Sequence, residues 1–266
     1  MQKPHLLSRQ HQESLNSYLS ELCLSKSKLT ISAYKTDIES FLFYLDSKKI
    51  KRLSSIKPIN IVDYLGTCQK SGKSASTINR YYMSIRSFCR YLRKTKQVQE
   101  DLTQDITPPK TGQFSPRVPT VEEMQKLLDA PFLKERTESS VRDKAILELI
   151  YSCGLRASEV CSLQLEDYKE NQILVKQGKR DKTRTVPMTQ EARNTLDLYI
   201  NEFRGKKRGY LFQTLLGKPL RRQLLCALVG TYARKVGLEG VTTHTLRHAC
   251  ATHLLEYGAD LRLIQE

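Results

Sequence analysis

Two domains, a helical N-terminal one and a mostly helical α+β one carrying a small β-sheet, are what this 266-residue sequence predicts. Three observations carry that prediction. The segment TQDITPPKTGQFSPRVP, residues 103–119, holds Pro108, Pro109, Pro116, Pro119 and Gly112 with no hydrophobic period, the mark of an exposed linker. Ahead of it, apolar residues recur at helical spacing. Beyond it, the β-branched stretches ILV and TRTV flank the polar turn QGKRDK, the pattern of a β-hairpin. The domains are therefore placed at residues 8–102 and 120–266, each long enough to bury a core of its own.

A short helix is expected near Leu15–Leu24. In TISAYKTDIESFLFYLDSK, Tyr34, Ile38, Phe41, Leu42 and Leu45 form one apolar stripe, and a further helical segment lies near Ile59–Leu65. In STINRYYMSIRSFCRYLRK, Ile78, Tyr81, Tyr82, Ile85, Phe88, Cys89 and Leu92 face one way. Arg86, Arg90, Arg93 and Lys94 face the other, with Arg80 at the flank.

After the linker, Thr120 and Glu123 make a capping box ahead of Met124, Leu127 and Leu128. A longer helix runs through Ala145, Ile146, Leu149 and Ile150 and stops at Gly154; a new one starts near Ser158. The hairpin follows, then a helix after Thr189, a strand candidate at GYLF (209–212), and helices near 221–236 and 244–257.

Composition narrows the function classes. The 44 Lys+Arg against 28 Asp+Glu leave a net +16, which points to a polyanionic partner. Residues 1–110 hold 19 basic and 9 acidic residues, so the first part carries the denser net positive charge. A helix face of nearly one sign repels itself unless phosphates neutralise it, so Arg80, Arg86, Arg90, Arg93 and Lys94 are read as DNA contacts, the plainer reading being a solvated face. Nucleic acid is favoured over membrane, because no basic segment has the apolar face of an interfacial helix and no apolar run reaches a membrane span. The start, MQKPHLLSRQHQ, has no signal-peptide pattern, and a cytosolic, nucleoid-associated location is expected. The seven cysteines lack a C-x-x-C pair and mostly fall in apolar helical patterns, so they are read as reduced and structural.

No nucleotide-binding loop, H-E-x-x-H or G-x-S-x-G is present in the sequence. His244 and His248 have the spacing of a helical zinc pair, but Thr245, Leu246 and Arg247 between them lack the glutamate base and place an arginine beside the would-be metal, and no third ligand stands at a useful spacing; no metal is assigned. A different set fits better. In SCGLRASEV, Arg156 follows a helix-ending glycine and precedes a helix start, a favourable place for a phosphate, with Glu159 close enough to orient it. Lys179 sits in the hairpin turn as a cationic acid. His244 and Arg247 lie one turn apart on one helix face. Two arginines, a lysine and a histidine supply the charge that a phosphodiester reaction needs without magnesium. Taken singly, each has a plainer use: a salt bridge for Arg156, solvation for Lys179, a core position beside Leu246 for His244.

Their order decides between these uses. GLRASEV, then GKRDKTRTVP, then HTLRHACATHLLEYGADLRLIQE closely resembles the tyrosine recombinase (phage integrase) superfamily, most nearly its bacterial Xer branch. The resemblance covers nearly the whole chain, including the LTISAYKTDIESFLFYL helix. It implies a SAM-like, core-binding N-terminal domain and a catalytic domain at 120–266. By that resemblance Arg156 and Arg247 clamp the scissile phosphate, His244 acts there as hydrogen-bond donor and general acid/base, and Lys179 protonates the departing 5′-hydroxyl. It also implies a 3′-phosphotyrosine intermediate, no cofactor, and double-stranded DNA bound by a synaptic tetramer of this chain or of this chain with a paralogous recombinase.

One departure stands out. In the family, LRLIQE leads into a Leu-Gly-His segment and then the nucleophilic tyrosine, neither of which occurs among the 266 residues. Tyr257, the sole tyrosine after Arg247, belongs by position to the packed helix and is not assigned as nucleophile. The chain as written is expected to bind DNA and engage a phosphate without cleaving, as a fragment or shortened form of a recombinase. The alternative is a non-catalytic DNA-binding protein. A type IB topoisomerase-like activity is disfavoured by the N-terminal domain.

Overall fold

The computed structural model describes residues 7–109, 117–176 and 183–259 and divides into two compact units, Met1–Phe114 and Ser115–Glu266. In the first, α1 (Arg9–Cys23), α2 (Lys28–Ser47), α3 (Pro58–Lys70) and α4 (Ala75–Lys94) surround one apolar core. The helix starts are set by short polar side chains. Ser27 and Ser74 accept the backbone N–H groups of Thr30 and Thr77, and Pro58 opens α3 where its missing N–H costs nothing. Ile38, Phe41, Leu42 and Leu45 of α2 meet Ile78, Ile85, Phe88 and Leu92 of α4, the stripes the periodicity marks.

Residues 103–109, expected as exposed linker, belong instead to this first unit. Thr103 is buried and its carbonyl accepts the Tyr82 hydroxyl, while Ile106 packs on the core. Proline content marks where helix stops; it does not say whether the extended chain lies against a core.

The second unit is built on α6 (Glu138–Cys153), with α5 (Val121–Asp129) before it and α8 (Gln190–Tyr199), α9 (Arg222–Lys235) and α10 (Thr243–Glu256) after. The six-residue α7 (Ala157–Ser162) follows α6. The capping box at Thr120 forms, Thr120 N–H reaching Glu123 Oε2 at 2.9 Å and Glu123 N–H reaching Thr120 Oγ1 at 3.3 Å. Because α6 is central, even its charged residues are buried and satisfied. Lys144 bonds Asp129 at 2.7 Å and Glu148 at 3.0 Å, and Arg142 chelates Asp143, which also accepts Tyr232.

Among the described residues one antiparallel sheet forms, in the order β1 (Tyr168–Lys169), β2 (Gln172–Lys176), β3 (Thr183–Pro187). The hairpin is as expected; the two-residue β1 is an addition too short to carry a period. GYLF is not a strand. Tyr210 makes a single bridge to Gln164 and Gln213 another to Pro219, while Leu211 and Phe212 bury their side chains. No helix among the described residues is long and apolar enough to cross a membrane.

Candidate functional site

Three separate segments meet around the turn from α6 into α7. Gly154 ends α6 in the left-handed region, φ +57°, which turns the chain so that Arg156 lands at the N-cap of α7. One turn on, Glu159 reaches back: its Oε2 accepts the Arg156 backbone N–H at 2.8 Å and its Oε1 accepts Arg156 Nη1 at 2.9 Å. The glutamate side chain is 8% exposed, whereas that of Arg156 is 54% exposed, so the guanidinium is anchored at one end and open to solvent at the other.

From β3, Arg184 grips the same carboxylate with both nitrogens, Nη1 to Oε1 and Nη2 to Oε2, each at 3.1 Å. From α10, half-buried Arg247 donates through Nη1 to the carbonyl oxygen of Gly154. Threonine side chains fix the start of α10: Thr242 N–H meets Thr245 Oγ1 at 3.1 Å and Thr245 N–H meets Thr242 Oγ1 at 3.3 Å. In its first turn His244 is exposed, while Leu246 beside it is fully buried. The core position considered for His244 is therefore not the one it takes: the helix turns Leu246 inward and His244 outward.

Electrostatics ties the segments together. Burial alone would raise the Glu159 carboxyl, but hydrogen bonds from Arg184 and then Arg156 hold it below the usual carboxylate range. Arg247 is shifted downward, first by burial and then by the positive field of Arg156, with Arg184 adding to it and Glu159 opposing. Two guanidiniums thus bond one carboxylate while a third, Arg247, lies within reach of their fields, an excess of two positive charges in a partly dry place. Such a group is suited to a tetrahedral oxyanion, above all one that gains negative charge as it reacts.

Of the expected site residues, Arg156 and Arg247 are brought together and His244 shares the exposed first turn of α10. Lys179 lies outside the described residues. Arg184 was missed by sequence reasoning. The signal that could have found it is its register: it shares a strand face with Val186 and pairs with buried Val175, so a charge points where an apolar residue is due.

The basic face of α4 is less uniform than its sequence. Arg90 and Arg93 are exposed, and half-buried Arg86 has a buried Nε with no hydrogen-bond partner. Lys94 is exposed but bonded to Glu21 at 2.9 Å. Arg80 is held by both oxygens of buried Asp37 at 2.5 and 2.6 Å, which also accepts Ser84 at 2.7 Å. Part of its charge is thereby committed within the fold. Two further expectations change. Tyr257 is not packed but caps α10 at 78% exposure, and Cys23 and Cys226 are exposed while the other cysteines are buried or half-buried.

The chain is similar to known proteins over nearly its whole length. The Phage integrase family matches residues 117–266, and the family described as Phage integrase, N-terminal SAM-like domain, matches residues 15–96. Tyrosine recombinase XerD of Staphylococcus haemolyticus is 36% identical over 261 residues, spanning 95% of this chain and 88% of the relative. Among solved structures, the XerH site-specific recombinase bound to difH substrate in a pre-cleavage complex superposes with a TM-score of 0.76 at 20% identity, covering 100% of this chain and 90% of that one. A lambda integrase tetramer bound to a Holliday junction gives 0.77 at 18% identity, covering 95% and 75%.

Proposed function

Because the chain belongs to the phage integrase family, in its Xer tyrosine recombinase branch, we propose that the site around Glu159 holds the scissile phosphodiester of a DNA recombination site. The chain is a site-specific recombinase by family, an enzyme that exchanges DNA strands. In the proposed reaction Arg156 and Arg247 take the two non-bridging oxygens and stabilise the pentavalent transition state. His244 serves the same phosphate as hydrogen-bond donor and general acid/base. A tyrosine hydroxyl, a role to which none of the 266 residues is assigned, gives up its proton to His244 and forms a bond to phosphorus as the bond to the 5′-oxygen breaks, and Lys179 gives that oxygen its proton. The strand is stored as a 3′-phosphotyrosine, and attack by a new 5′-hydroxyl reverses each step. Bonds are exchanged one for one, so the chemistry needs neither ATP nor a cofactor.

The first unit supports this reading with the cationic face of α4, where Arg86, Arg90 and Arg93 are available to backbone phosphates and Arg80 and Lys94, each paired with a carboxylate, only in part. Residues 120–266 form the catalytic unit. Double-stranded DNA is the partner, held by four protomers of this chain or of this chain with a paralogue, as in the tetramer of lambda integrase on a Holliday junction. The place of action is then the compartment that holds the chromosome, at the nucleoid.

The observation that carries the reading is the convergence of Arg156 and Arg247, ninety-one positions apart, beside one buried carboxylate. It is tested with a duplex selected by this chain from a random-sequence pool, in which each phosphate is replaced singly by a neutral methylphosphonate. One phosphate in each strand should stand out, its neutralisation costing roughly 10–100-fold in affinity, the worth of charge-assisted contacts. A profile in which every phosphate counts alike contradicts the reading.

A further inference from the structure

Strand β3 brings to the site a side chain, Arg184, that lies within the quoted GKRDKTRTVP but to which no role has been given. The register pairs Arg184 with Val175 and puts it on the same face as Val186, toward the core. A guanidinium in that position is stable only where a carboxylate meets it. Arg184, 16% exposed, meets Glu159 with the two parallel bonds of a fork-to-fork pair. Each carboxylate oxygen then accepts one bond from Arg184 and one from Arg156, through Nη1 on Oε1 and the backbone N–H on Oε2. The consequence falls on Arg156. Its guanidinium touches Glu159 through a single nitrogen, and among the described residues the rest of its five N–H donors have no partner.

We propose that Arg184 is a positioning residue for the phosphate clamp: by occupying Glu159 with both nitrogens, it confines Arg156 to a one-nitrogen anchor and keeps the remainder of that guanidinium for phosphate. The proposal rests on the reading of Arg156 and Arg247 as the clamp. Without Arg184 the carboxylate has vacant lone pairs beside an exposed guanidinium, and the favoured outcome is a bidentate Arg156–Glu159 pair that withdraws the phosphate-facing edge. The field around Glu159 favours its charged form throughout, from Arg156 at the start of α7, Arg184 on β3 and Arg247 on α10. Arg184 is the largest of the contributions opposing burial.

The test is the ratio of affinities for two duplexes, one native and one with the clamped phosphate replaced by methylphosphonate. It is measured for the full chain and for Arg184→Ala, Arg184→Lys and the Arg184→Ala/Glu159→Gln pair. Arg184→Ala should lower the ratio roughly tenfold, about one charge-assisted hydrogen bond, while affinity for the neutral duplex holds. Arg184→Lys keeps the charge and also lowers the ratio, because an ammonium cannot occupy both oxygens as a fork does. In the double variant the ratio should recover in part, since no carboxylate remains to capture Arg156. Damage to packing alone cannot produce recovery on a second substitution. A wild-type ratio retained in Arg184→Ala, or in Arg184→Lys if the alanine variant does not fold, overturns the proposal, as does a double variant lower than the single one. A ratio near one in the unaltered chain overturns the clamp reading itself, and this proposal with it.

Discussion

Glu159 is the residue on which the site depends, and its charge is the quantity to perturb. Buried and bonded to two arginines, it keeps a folded-state pKa below the ordinary carboxylate value. A depressed carboxyl contributes stability that is present above its unfolded pKa, about 4.3, and that is lost as pH falls through the lower folded value. The melting temperature of the chain should therefore fall between pH ~4 and more acid values, and Glu159→Gln should flatten that part of the profile. Parallel profiles for the two proteins contradict the assignment. Glu159→Ala is more severe, for it strands Arg184 at a core-facing position. A loss near the ~3–5 kcal/mol of a broken buried pair is expected in urea unfolding, discounted for the exposed end of Arg156.

At the scale of elements, Gly154 joins the fold to the site. Its left-handed conformation ends α6, starts the turn to Arg156, and presents the carbonyl that Arg247 uses. A methyl group added there meets Cys250 Sγ at 3.5 Å, an ordinary contact, so Gly154→Ala should cost only the conformational term, about 1–2 kcal/mol. Denaturant unfolding would read that loss directly; a loss above ~3 kcal/mol would mean that side-chain crowding, rather than the backbone, governs the position. Elements of this kind were largely legible in the sequence. Stripes of four or more apolar residues marked α2 and α4, Thr120 with Glu123 marked the start of α5, and Gly154 marked the end of α6. What escaped has a physical cause in each case. The central α6 buries charges that pair with each other, so its pattern understates how buried it is. β1 has two residues, too few to show alternation. GYLF has the composition of a strand but only isolated bridges to pair with. In the site, motif order singled out Arg156, His244 and Arg247, while Arg184 shows in the sequence only as a charge at a core-facing strand position, its partner Glu159 lying twenty-five positions earlier.

At the scale of the whole molecule, a net charge of +16 predicts binding that weakens steeply with salt, log affinity falling linearly against log salt concentration. The structure separates the arginines of α4 by what they already hold. Replacing exposed Arg90 and Arg93 together by alanine should reduce the salt slope by about two and leave thermal stability nearly unchanged. Arg80→Ala should do the opposite. It leaves Asp37 buried with only Ser84, so stability should drop, by less than the ~3–5 kcal/mol of a fully buried pair because Arg80 is half exposed. An equal change of slope in both variants, measured by titration at several salt concentrations, contradicts this division of roles. In the proposed clamp Arg247 acts on one particular phosphate, and a double-variant cycle isolates that contact: the affinity of the full chain and of Arg247→Ala for the native duplex and for its single methylphosphonate counterpart. Neutralising the phosphate is expected to cost the unaltered chain roughly tenfold or more and Arg247→Ala almost nothing, with both proteins equal on the neutral duplex. Equal penalties in the two proteins would mean that Arg247 does not touch that phosphate, and the clamp would have to be abandoned.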